Sequence, residues 1–171
     1  MTRNRHMEPQ EKTESIPLIR QSPFVKDREE DVVAWSFTAP LPVGGEVSAY
    51  IHPAALFESL AKDCGDDDYL LVCGCSDAGC AHFWHEEFEK TAEWIEWRVT
   101  YYDLKCVWHY DRAVYEEGAI RMLRDIHDTR EGWHFCLMWY DSFEDFKAAV
   151  EKFLSDNPRF RALWDATGAK A

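Results

Sequence analysis

Alternation and helical periodicity divide the chain into short elements that change type repeatedly. Residues 32–38 (Val-Val-Ala-Trp-Ser-Phe-Thr) are rich in β-branched and aromatic side chains and predict a strand. Pro40, Pro42 and the pair Gly44-Gly45 break the backbone, and residues 46–51 alternate weakly as a second strand pairing with the first across that loop. His52-Pro53 then opens a helix, because a proline at the first helical position lacks only an N–H that would have no partner there. Leu56, Phe57, Leu60 and Ala61 form its apolar stripe, and Cys64-Gly65 reads as its stop. Residues 69–73 (Tyr-Leu-Leu-Val-Cys) read as a short buried strand that delivers the chain into a cysteine-rich loop.

Residues 83–99 carry two periods at once. Trp84, Phe88, Thr91, Ala92 and Ile95 fit a helix, whereas Ile95, Trp97 and Val99 alternate with Glu96 and Arg98 as a half-buried strand does. A helix accounts better for the first half; a hairpin turning near residues 90–93 accounts better for the second. Residues 106–110 predict a strand, and Asp111 caps a following helix whose core stripe is Tyr115, Ala119, Met122, Leu123 and Ile126. Gly132 breaks the chain, and residues 133–140, apolar on both faces, predict a central strand. Asp141 to Glu144 has capping-box spacing, and Phe143, Phe146, Val150, Phe153 and Leu154 then share one helical face. Asn157-Pro158 ends that helix, and Phe160, Leu163 and Trp164 predict a last short one.

Strands and helices intermix without the steady alternation of a doubly wound sheet. The predicted class is α+β: a single domain over residues 23–171, with a mostly antiparallel sheet and three or four packed helices. Residues 1–22 are expected to be a mobile tail, with Ile16, Pro17, Leu18 and Ile19 as its one anchoring island.

Composition narrows the function. A chain of 171 residues supports one full core, and its 46% apolar content argues for a folded globule. The net charge of −13 disfavours nucleic acid and anionic lipid, since both are bound through Lys and Arg; it favours a basic protein partner. No apolar run approaches the ~18 residues of a spanning helix, and the polar start lacks the apolar stretch of a secretory signal. The expected location is the cytoplasm, where the six cysteines stay reduced and serve as metal ligands, reactive groups or buried thiols.

The sharpest candidate chemistry lies in residues 73–85, which hold Cys73, Cys75, Cys80, His82 and His85. Four thiolate and imidazole ligands make a tetrahedral zinc site, and the three cysteines with either histidine complete such a set. No cofactor is expected otherwise. A catalytic or redox thiol is the second chemical reading, opposed by Asp77, Glu86 and Glu87, whose charges raise thiol pKa values. The preferred reading is structural: Gly74 and Gly79 permit a tight turn, and soft, small cysteines fill the space beneath it. The run Cys73-Gly-Cys75-Ser76-Asp-Ala-Gly79-Cys80 resembles the pattern Cys-x-Cys-Gly-x-x-Gly-Cys of a group of small uncharacterised bacterial proteins. In that group a strand with Val-x-Trp and a helix start with Phe-Asp-Arg-x-x-Tyr follow; here Ile95-Glu96-Trp97 and Tyr110-Asp111-Arg112-Ala-Val-Tyr115 stand in that order. The resemblance covers about residues 70–123 and favours the hairpin for residues 83–99. Ser76 departs from it, His82 and His85 lie outside it, and it implies no activity.

Nucleotide-binding, hydrolase-elbow and His-Glu-x-x-His motifs are absent. Residues 66–68, all Asp, read as a solvated turn, and His109 and His134 as satisfied core histidines. The tryptophans at 84, 94, 97, 108, 133, 139 and 164 exceed what one core requires, so some of them suit an exposed interface. The sequence thus points to a non-catalytic, protein-binding domain of immunity or adaptor type. The alternative is a zinc-binding or thiol-dependent enzyme centred on Cys73 to His85.

Overall fold

A computed structural model of the chain describes residues 16–66, 70–72, 82–133 and 139–168. Its first half is a meander. Strand β1 (Phe24–Glu29) turns through Glu30, whose φ is 52°, into β2 (Val32–Pro40), and the loop with Gly44 and Gly45 leads to β3 (Glu46–Ile51). Along β2 every odd residue from Val33 to Ala39 is buried, as an antiparallel strand with one wet face demands. Helix α1 (Pro53–Ala61) follows, with Pro53 buried and the His52 ring as its cap: Nδ1 accepts from the Ala54 and Ala55 N–H groups at 3.1 and 3.4 Å.

The expected stop at Cys64-Gly65 is not a helix cap. The helix ends at Lys62, and Cys64–Asp66 forms a short strand, β4, because Cys64 and Gly65 pair with Glu89 and Phe88 further along. Strand β5 is the pair Leu71–Val72, fully buried as predicted and hydrogen-bonded to β3. Residues 83–101 form a hairpin, β6 (Phe83–Lys90) and β7 (Trp94–Tyr101), and β8 (Leu104–Asp111) completes a second meander. The strands thus make two antiparallel four-stranded sheets, in the orders β1-β2-β3-β5 and β4-β6-β7-β8. The α+β architecture read from the sequence is the one observed, with two sheets rather than one.

Three further helices complete the described chain. In α2 (Arg112–Thr129) the Asp111 carboxylate accepts from Val114 N–H, and Tyr115, Ala119, Met122, Leu123 and Ile126 are all buried. The predicted central strand over residues 133–140 is described only at its ends; Trp133, Trp139 and Tyr140 lie in no strand, and 134–138 fall outside the described residues. Helix α3 (Phe143–Asp156) is capped one residue later than expected, by Ser142, whose hydroxyl accepts from Asp145 N–H at 3.1 Å. Pro158 begins α4 (Pro158–Gly168), which buries Phe160 and Trp164. Among the described residues no helix is long and apolar enough to cross a membrane.

The core lies where the two sheets and α2 meet. The Phe37 ring of β2 sits 5.8 Å from Trp108 and 5.9 Å from Tyr110 of β8, and Phe24 of β1 sits 5.1 Å from Tyr115 of α2. Phe57 stacks on Phe153 at 4.9 Å, tying α1 to α3. The apolar island before β1 also finds a partner. Ile19 bridges in parallel to the open edge of β8, donating to His109 O at 2.6 Å and accepting from Asp111 N–H at 2.9 Å.

One glycine is imposed by packing. Gly118 lies in mid-helix, where glycine is less favourable than alanine by about 1 kcal/mol. A Cβ there would run into the Ser22 hydroxyl and stand 3.3 Å from the Phe24 ring. Gly118→Ala should therefore destabilise by about 1–3 kcal/mol through overpacking, against the helix-propensity gain. Ser22→Gly should restore much of the loss, so denaturant melts of the two single variants and the pair must show strong coupling. A Gly118→Ala chain as stable as wild type would remove the constraint.

Candidate functional site

Of the predicted ligand set, Cys73, Cys75 and Cys80 lie outside the described residues, and so does the side chain of His85, whose backbone belongs to β6. His82 is exposed, with φ of 60°, and its ring stacks on Tyr102 at 4.3 Å, beside the β7–β8 turn. Among the described residues no group of His, Cys, Asp and Glu is assembled to hold a metal ion. Glu86, only 1% exposed, turns inward and accepts from Leu70 N–H at 2.6 Å and from Leu71 N–H at 3.3 Å, fastening β5 to β6. Glu86 thus acts as a structural clasp at this point of the sheet, while the thiols it was expected to influence lie outside the described residues.

Period-2 alternation along the hairpin sends the neighbouring charges the other way. Glu87 and Glu89 face outward, and the register places Glu87 opposite Arg98 and Glu89 opposite Glu96. Directly opposed carboxylates repel, and Arg98 offsets this by donating to Glu96 at 2.7 Å, Glu89 at 2.8 Å and Glu87 at 3.4 Å. One cation serving three anions leaves this patch negative. Across β8 the same face continues through Val107, 38% exposed, and His109, against which the Trp94 ring lies edge-on at 4.5 Å. His109 is therefore not a core histidine: it stands half-buried on the solvent-facing side of the sheet. Trp97, Trp108, Trp133 and Trp164 are core residues, whereas Trp94 and Trp139 are partly exposed.

A second polar assembly went unread in the sequence. Glu116 of α2 is 3% exposed and receives three short hydrogen bonds: Arg112 Nε at 2.9 Å, Arg159 Nη1 at 2.6 Å and Arg159 Nη2 at 2.7 Å. Burial alone would raise the Glu116 pKa, but the hydrogen bonds and charges of Arg159 and Arg112 hold it below the usual carboxylate range. Arg112 also donates through Nη1 to Thr91 O at 2.6 Å, fixing the hairpin turn against the start of α2. Beside this cluster Lys90, the last residue of β6, points inward with 8% exposure and donates to Leu60 O at 2.8 Å. Lys90, Arg112 and Arg159 line a cleft of about 240 Å³, walled also by Leu60, Ala61 and Phe160.

The signals for this cluster were modest: the four-residue spacing of Arg112 and Glu116, and the alternation that puts Lys90 in phase with Phe88. Arg159 comes from 43 residues beyond Glu116, and no local pattern brings it there. Compared with known proteins, the chain matches no family model, no curated protein and no solved structure.

Two measurements test this geometry. Burial pushes the Lys90 ammonium down from 10.5 to about 8, with Glu116 opposing the shift and Arg112 adding to it. Below about pH 8 both folded and unfolded chains carry this charge, and the folded one bears its burial cost. Between about 8 and 10.5 the unfolded chain keeps a proton that the folded chain has released, so the Lys90 contribution to stability rises with pH. Relative to Lys90→Met, wild type should gain about 3 kcal/mol across that window in denaturant melts. Parallel profiles would mean an ordinary, solvated lysine. For the cysteine loop, the packed-turn reading predicts less than about a tenth of an equivalent of zinc after purification without added metal, and no melting shift in EDTA. Near one equivalent with a sharp fall would make Cys73, Cys75, Cys80 and His82 or His85 its ligands.

Proposed function

We propose that this chain is a non-catalytic protein-binding domain that docks a basic partner, in the manner of an immunity or adaptor protein. The observation that carries the reading is the outer face of β6, β7 and β8, where Glu87, Glu89 and Glu96 share the single Arg98. A net charge of −13 extends the same sign over the molecule and steers a cationic surface toward it. Beside the carboxylates, Trp94, Val107 and His109 supply apolar area of the kind that concentrates binding energy at interface centres. The occupant is a protein surface rich in Lys and Arg, whose side chains pair with the outward glutamates while an apolar residue covers Trp94. A bacterial cytoplasm is the setting suggested by the resemblance of residues 70–123 to a group of small bacterial proteins.

The test is a charge-reversal comparison. Wild-type chain and a Glu87→Lys/Glu89→Lys/Glu96→Lys variant are immobilised in parallel, and a captured basic protein is then titrated calorimetrically against both. The expected result is saturable binding to wild type that weakens with salt and falls at least about tenfold in the variant. Binding that ignores both salt and charge reversal would overturn the reading, as would a titration showing no saturable partner.

A further inference from the structure

The opposite face of β6 carries a feature that a protein-docking surface does not use. Lys90 is more than nine-tenths buried, yet among the described residues its ammonium has a single acceptor, the Leu60 carbonyl, and no carboxylate is paired with it. A buried cation is ordinarily paired or neutralised. Glu116, the buried anion of the neighbouring cluster, is already taken by two guanidinium groups. Two of the three Lys90 donors are uncommitted, and so is Arg112 Nη2, since Nε serves Glu116 and Nη1 serves Thr91. All of these donors belong to residues lining the same cleft.

We propose that the cleft between the end of α1, the end of β6 and the α3–α4 junction binds a small organic monocarboxylate, its carboxylate seated against Lys90 and Arg112. The site is independent of the protein-docking face and stands whether or not that face has a partner. Leu60, Ala61 and Phe160 offer an apolar wall for the body of the ligand. The volume of about 240 Å³ lies below the usual range for drug-sized ligands and sets a small size. Asp63 and Asp156 on the lining oppose a dianion such as phosphate and favour a group bearing one charge. The carboxylate would supply the counter-charge that Lys90 lacks, through charge-assisted hydrogen bonds to an ammonium that is itself buried.

The experiment is an NMR titration of the full isotope-labelled chain with 4-methylpentanoate, its neutral amide and inorganic phosphate. The carboxylate should give saturable shifts centred on the Ala61, Asp63, Arg159 and Phe160 amides, with the amide and phosphate each weaker by at least about tenfold. Lys90→Met, which keeps the length of the buried stem, should weaken carboxylate binding by a similar factor. Ala61→Phe changes an exposed lining residue, leaves every charge in place and should block the cleft, so it tests the site even if Lys90→Met folds poorly. Equal affinity for carboxylate and amide, preference for phosphate, unchanged binding in a folded Lys90→Met or in Ala61→Phe, or no saturable shift below about 50 mM would each overturn the proposal.

Discussion

Strand β6 is held between two antiparallel neighbours, so its side chains must alternate, and the sequence supplies charges to both faces. Inward go Glu86, Phe88 and Lys90; outward go Glu87 and Glu89. Each inward charge then needs a use. Glu86 satisfies backbone donors of β5 that would otherwise be buried without partners, and Lys90 satisfies a carbonyl near the end of α1. The outward pair, with Glu96 opposite, gives the sheet its negative face. Both candidate surfaces of the molecule are consequences of one strand's register, and a one-residue slip would exchange them.

The Arg112–Glu116–Arg159 cluster performs a different task. Buried ion pairs carry a desolvation cost that offsets much of their attraction, so the cluster is weak evidence of added stability. Its geometry is more informative. Arg112 links the hairpin turn to α2 through Thr91, and Arg159 links α2 to α4 through Glu116, so one carboxylate orients three elements at the rim of one cleft. Removing Glu116 would leave Arg112 half-buried without its anion and Arg159 without both of its carboxylate bonds.

Much of this fold was legible from side-chain periodicity. The alternation of Ile95, Trp97 and Val99 revealed only the second half of the hairpin over residues 83–101; its first half also fitted a helix, and the resemblance to the bacterial group tipped the choice, whereas α2 followed from its buried stripe and the Asp111 cap. What failed did so for identifiable reasons. Strand β1 (Phe-Val-Lys-Asp-Arg-Glu) was missed because it is an edge strand, with charges where a core strand has apolar residues. Cys64-Gly65 resembled a helix stop because β4 is only three residues long and exists by pairing with β6. His109 lies within an apolar run yet faces outward, since the run is set by Trp108 and Tyr110 on the other side of the pleat. The acidic character of the surface was visible in composition; its concentration around Arg98 required the strand register. The ionic cluster required α4 to return to α2, which is tertiary information.

The Ile19 bridge bears on how this molecule behaves among copies of itself. Strand β8 ends its sheet, and the backbone groups of His109 and Asp111 that face away from β7 are occupied by Ile19. By the same alternation, Lys105 and Val107 turn their backbone groups along the rest of that edge, where they have no partner among the described residues. An open edge beside an exposed valine is a template for strand addition between molecules, the geometry from which ordered aggregates grow. The segment before β1 caps one end of that template, and the Lys105 charge guards the other. Among the described residues, this margin of the sheet is thus protected locally, by one paired backbone segment and one charged side chain, in addition to the net charge of −13.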